Sequence, residues 1–187
     1  MKTSNFEFLR NEFPLLSNIG EAAEANCYSD PVTALFKLRQ FGEKVIFFVF
    51  EAHALDLPVQ VNFHNCLIEL KNEDILPERV MELLFSIKNK GNIAVHENKG
   101  NVSDAKTIIF AAFKVAKWFY ETYSQDEVNI SEVKFSELKD LKDKPLIQKL
   151  EEEYKLLEQK YTELITQKDL KTLSEAEKNI LSERSIN

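Results

Sequence analysis

Asn92 and His96 stand four residues apart in the polar stretch KNKGNIAVHENKGN, so on a helix an amide and an imidazole share one face. A neutral imidazole can take up or release a proton near pH 7, and an amide can hold a phosphate oxygen or a ribose hydroxyl. Lys88 and Lys90 just upstream, with Arg79 and Lys99 further out, are candidate contacts for nucleic-acid phosphates. The chemistry such a group could do is to hold a phosphate or a ribose hydroxyl while the imidazole shuttles a proton, or simply to bind nucleic acid. The plainer reading is a polar helix end where both side chains bond backbone carbonyls. It outweighs the catalytic one, because a suggestive cluster is only a statistical pointer to a site.

Arg39 and Glu43 form a second pair at the same spacing. On a buried helix they must pair with each other, since an uncompensated buried charge costs several kcal/mol. Their role is then structural; a secondary reading turns Arg39 toward the His96 cleft. Other chemistries are excluded by pattern. Four glycines at 20, 42, 91 and 100 are too scattered for a phosphate-binding loop, and no GxSxG, HExxH or EF-hand spacing occurs. Cys27 and Cys66 stand alone, without the spacing of a metal site or a disulfide framework, and read as small buried hydrophobes.

The elements that must position these residues are helical. Of 187 residues 44% are apolar, enough for one core of ordinary size plus an appendage. With 24 basic against 31 acidic residues the formal charge is -7, which argues against a general polyanion binder. The acidity is spread, with 13 basic and 16 acidic residues before Ser124 and 11 and 15 from there on. No apolar run reaches the roughly 18 residues of a membrane span, and the start MKTSNFEFLRNEF is no signal peptide, so the chain reads as soluble and cytoplasmic.

Nearly every segment has helical period, and the fold class expected is all-α. A first helix from Ser4 or Asn5 is interrupted by Pro14, and a second runs from there to Cys27. Asp30-Pro31 starts a long helix whose stripe Leu35, Leu38, Gly42, Val45 and Val49, widened by five phenylalanines, predicts a central position. Leu57-Pro58 ends it. Asn62 caps a short helix, Pro77 opens one with the inward row Val80, Leu84, Ile87, Gly91 and Ala94, and Ser103-Asp104 cap the helix Ala105 to Tyr123. At Ser124 the apolar stripe stops, which divides the chain into a bundle at 1–123, a polar linker at 124–144 and an amphipathic tail at 145–187. In the tail Ile147, Leu150, Tyr154, Leu157, Tyr161 and Leu164 alternate at three and four, a seam of fewer than three heptads, open both to a two-chain coiled coil (a homodimer) and to a lone helix packing on its own domain.

The runs FEFLRNEFPLL, YSDPVTALFKLRQFGEKVI, KNKGNIAVH and KWFYETY, in this order over about two thirds of the chain, resemble the helical N-terminal domain of type I restriction enzyme R subunits. The tail, ending LSEAE, looks like the approach to the PD-(D/E)xK nuclease of such subunits, with nuclease and translocase beyond Asn187. That domain is similar to the HEPN superfamily of small helical bundles, some of which cut RNA through an Arg-Asn-x-x-x-His motif. Asn92 and His96 match the motif, but Gly91 takes the arginine's place. Lys90 lacks the planar fork that grips a phosphate with two bonds. The resemblance implies a non-catalytic assembly or DNA-guiding module that holds no cofactor or metal itself. The parent would use ATP and Mg2+ and work on DNA with the other subunits of a type I restriction-modification complex. The alternative it leaves is a free-standing HEPN-like RNase or nucleic-acid-binding protein using Asn92 and His96.

Overall fold

In a computed structural model, which describes residues 4–126, 129–140 and 153–162, the chain is all-α, with no strand among the described residues. Five helices form the bundle: α1 (Pro14–Asn26), α2 (Pro31–Ala52), α3 (Phe63–Asn72), α4 (Glu78–Glu97) and α5 (Val102–Tyr123). None of them is long and apolar enough to cross a membrane.

Local chemistry sets the boundaries. Asp30 accepts the Thr33 amide at 3.0 Å and Asn62 the Asn65 amide at 3.0 Å, each satisfying a free donor of the helix that follows. Pro31 occupies the first turn of α2, where its missing N–H costs nothing. Three boundaries differ from expectation. The segment before Pro14 forms only a 3-10 turn, Glu7–Leu9, pinned from outside by Arg10, which bonds Glu7 and Glu21. α2 stops at Ala52, five residues before Leu57, as Ala54 turns left-handed at φ 51° and its amide bonds the Glu51 carbonyl. α5 is capped by Asn101, in extended conformation and accepting the Asp104 amide at 2.8 Å, so Ser103 lies inside the first turn.

α2 is the central helix, packed on α1, α3, α4 and α5. Its stripe Leu35, Leu38, Val45 and Val49 is buried, and Phe41 stacks at 5.4 Å on Phe6 from the segment ahead of α1. Gly42 and Gly91 lie where neighbours come closest: a Cβ would stand 2.7 Å from the Phe63 ring at the first and 2.4 Å from Arg39 Cβ at the second. Trp118 is half-buried at the core's edge, whereas Tyr120 is buried, with its hydroxyl 3.4 Å from the Asp126 carboxylate.

The chain does not leave the bundle at Tyr123. Met1–Leu138 forms one compact unit and Lys139–Asn187 a second. Residues 129–138 run along the first unit as a strap: Ile130 is buried, and the Phe135 ring meets Phe110 edge to face at 5.0 Å and a tilted Phe113 at 5.3 Å. Side chains of the bundle hold the strap's backbone. Asn5 accepts the Ser136 amide at 2.6 Å and donates to the Ser136 carbonyl at 3.0 Å, Lys117 donates to the Val133 carbonyl at 3.1 Å, and Tyr28 donates to the Leu138 carbonyl. Asn5, itself 7% exposed, is oriented by Glu24, which also accepts from Ser4. Replacing Asn5 by Ala is expected to cost about 1 to 3 kcal/mol, with amide exchange speeding up most along 131–138. Unchanged exchange there would show that Phe135 holds the strap alone.

In the second unit, residues 153–162 are helical with Tyr154, Leu157 and Tyr161 exposed. The remaining seam residues Ile147, Leu150 and Leu164 lie outside the described residues.

Candidate nucleic-acid corner

Of the residues that suggested chemistry, Lys90 and Lys99 meet at the corner where α4 turns into α5. α4 ends at Asn98, left-handed at φ 51°, a conformation that asparagine tolerates better than most residues. Lys99 and Gly100 cross to Asn101, and the turn encloses a cavity of about 380 Å³ whose lining includes Lys90, Ile93, Lys99 and Asp104. Two ammonium groups thus line one space at the start of α5, with the Asp104 carboxylate beside them.

That charge is largely spoken for. Lys90 Nζ is 2.7 Å from Asp104 Oδ1, and the other oxygen of the same carboxylate accepts from Asn101 at 3.1 Å. Lys99 pairs with Glu97 at 2.9 Å. Lys88 lies away from this cavity, 3.4 Å from His64 Nδ1 and 5.4 Å from the Phe85 ring centroid. Arg79 is exposed at the opposite end of α4. The four basic residues therefore do not make one patch: Lys90 and Lys99 share the corner, and Lys88 and Arg79 do not.

Asn92 is half-buried and His96 exposed, one turn apart on α4, and neither lines the cavity. Among the described residues neither side chain bonds a backbone carbonyl. The place a motif arginine would take, Gly91, is buried under Arg39 of α2, whose Cγ and Cδ would lie 3.1 Å from an added Cβ. Arg39 is tied to Glu43 at 3.0 Å, the expected pair, with both side chains about one quarter exposed. Its Nε is buried without a partner. The corner offers an imidazole and an amide but no second acid-base group bonded to either.

Cys27 and Cys66 are buried, and burial pushes both thiols upward, away from the reactive thiolate. Among the described residues no group of three His, Cys, Asp or Glu side chains is placed to hold a metal ion. Sequence reasoning missed the Lys90–Asp104 bridge, because the partners are fourteen residues apart and meet only through the tight turn. The available signal was Asn98, at the point where the apolar row of α4 stops.

Over 126 residues, 67% of this chain, the sequence is 32% identical to the Type I restriction enzyme EcoKI endonuclease subunit of Escherichia coli strain K12. The chain spans only 11% of that protein's length. No family model and no solved structure matches.

Proposed function

We propose that this chain, related in sequence to one region of a type I restriction endonuclease subunit, is a non-catalytic helical module of HEPN-like type that serves assembly or DNA guidance in a restriction-modification complex. The observation that carries this reading is the 32% identity over two thirds of the chain. Two structural features support it. The aromatic interior is filled by its own side chains, with Phe6, Phe41 and Phe119 all but inaccessible. The histidine corner has its nearest cations neutralised and its arginine position closed by Arg39.

Under this reading the cytoplasm is the compartment, the partners are the methylation and specificity subunits, and DNA is met through the larger protein. A glycine-rich ATP phosphate loop does not fit the residues described, since each of the four glycines packs against a side chain, and no group of three His, Cys, Asp or Glu among them is placed to hold Mg2+. No step is therefore assigned to those groups in this chain.

The test is co-purification. The chain, expressed with type I methylation and specificity subunits from its own host, is expected to elute with them in fixed stoichiometry. It is also expected to leave single-stranded RNA intact in EDTA, with wild type and His96→Ala alike. Free elution of the chain, together with EDTA-resistant RNA cleavage that His96→Ala abolishes, would replace the module by the HEPN-like nuclease.

A further inference from the structure

A groove of about 410 Å³ lies between the end of α3 and the first two turns of α4. Its floor is apolar: Leu76 and Met81 are buried at 5% and 8% exposure, and Phe85 is half-buried beside them. Three carboxylates rim it, Asp74, Glu78 and Glu82, against a single ammonium, Lys71. Two further cations stand near it outside the lining: Lys88, over the Phe85 ring and next to His64, and Arg79, exposed on the first turn of α4.

We propose that this groove receives a lysine or arginine side chain from a basic peptide segment of a partner protein. The proposal rests on the assembly reading above and names the chemistry of one contact.

Three arguments fix the occupant. The rim holds three carboxylates to one ammonium: none of the three carboxylates has an ion pair or hydrogen bond among the described residues, and Glu78 and Glu82 sit four apart on one helix face, where like charges repel. A cation entering there relieves that repulsion, whereas a nucleic-acid phosphate would add to it. A divalent metal is the wrong cation, because these carboxylates are not placed as a metal-binding group. A wide rim over an apolar floor instead suits a long side chain, whose methylene stem lies on Leu76 and Met81 while its charged head reaches the carboxylates. Methionine, with three flexible bonds, adapts to such a stem.

The chain carries its own reporter, since its two methionines are Met1 and Met81. With 13C-methyl methionine in the full chain, the probe is the peptide acetyl-Ala-Leu-Arg-Leu-Ala-amide, compared with the same peptide carrying citrulline, the neutral analogue of arginine. The arginine peptide is expected to move the Met81 methyl signal saturably and the Met1 signal not at all. Affinity should fall at least about tenfold with citrulline, and equally with arginine in the variant Asp74→Asn, Glu78→Gln, Glu82→Gln. Asparagine tolerates the left-handed φ of 52° at position 74, and a cooperative thermal melt close to that of wild type will report that this variant keeps the fold. Equal binding of both peptides, undiminished binding to the variant, or a shift that never saturates would each overturn the proposal. No restriction subunit enters this experiment. Failure here alongside successful co-purification refutes the groove alone, and saturable binding with failed co-purification refutes the module reading alone.

Discussion

Arginine at position 91, the one change that completes an Arg-Asn-x-x-x-His motif, is expected to unfold the bundle rather than to create a nuclease. Gly91 is the contact point between α4 and the central helix: an added Cβ would lie 2.4 Å from the Cβ of Arg39. Carbon atoms rest about 3.5 to 4.0 Å apart, so the overlap exceeds 1 Å. The Arg39 Cβ is fixed to the α2 backbone, and no side-chain rotation moves it. Gly91→Ala should gain up to about 1 kcal/mol of helix propensity and lose about 3 kcal/mol to overpacking, a net cost near 2 kcal/mol. On a domain of this size that lowers the melting midpoint by roughly 5 to 10 °C. Gly91→Arg adds a stem and a second guanidinium beside one that is already paired, and should give no soluble folded protein. The second-site response is diagnostic. Arg39→Ala keeps a Cβ and should not rescue Gly91→Ala, whereas Arg39→Gly should restore part of the loss. A melting midpoint for Gly91→Ala at or above that of wild type would show that the helices can part freely. A soluble Gly91→Arg variant that cleaves RNA in a His96-dependent way would return the corner to the status of an active site.

This glycine marks where sequence reading succeeded and where it stopped. The row Val80, Leu84, Ile87, Gly91 and Ala94 was legible from spacing, and it faces inward in the structure. What spacing could not supply was the identity of the residue on the other side. Arg39 is fifty-two positions away and meets Gly91 only because α2 and α4 pack together. Reading Gly91 as a vacancy in a catalytic motif and reading it as a close helix contact are equivalent in sequence; the overlap with Arg39 separates them.

The strap shows the opposite failure. Ile130, Val133, Phe135 and Leu138 are spaced three, two and three, which matches neither a helix nor a strand, so the sequence predicts a polar linker there. An irregular segment buries its apolar residues wherever a neighbouring surface accepts them, and here the acceptors are Phe110 and Phe113 of α5. Its backbone bonds come from Asn5, Tyr28 and Lys117, none of which is near in sequence. The groove at Met81 was hidden for a similar reason: the row Glu78, Glu82 looks like any solvated helix face until the turn carrying Asp74 is folded back beside it.

Phe119→Ala should be among the most destabilising single truncations in the chain. Phe119 is 1% exposed, and its ring lies 4.8 Å from Phe13, 5.2 Å from Tyr123 and 5.9 Å from Phe48. It therefore joins the segment ahead of α1 to α2 and α5. Removing it loses the transfer free energy of a phenyl ring and leaves a cavity whose walls belong to three separate segments and cannot close together. The cost expected is about 3 to 5 kcal/mol, a large share of the roughly 5 to 15 kcal/mol that holds a domain folded. The aromatic contacts are part of that figure and do not add to it, since residues in contact are not independent. Tyr154→Ala is the matched comparison: an aromatic residue on the helix at 153–162, but 68% exposed. It should change unfolding free energy by less than about 0.5 kcal/mol. Urea unfolding of the two variants separates a ring that supports the fold from one that does not. A Phe119→Ala cost below about 1 kcal/mol would mean that the segment carrying Phe13 closes over the gap by itself, and that the aromatic cluster is not what joins these elements.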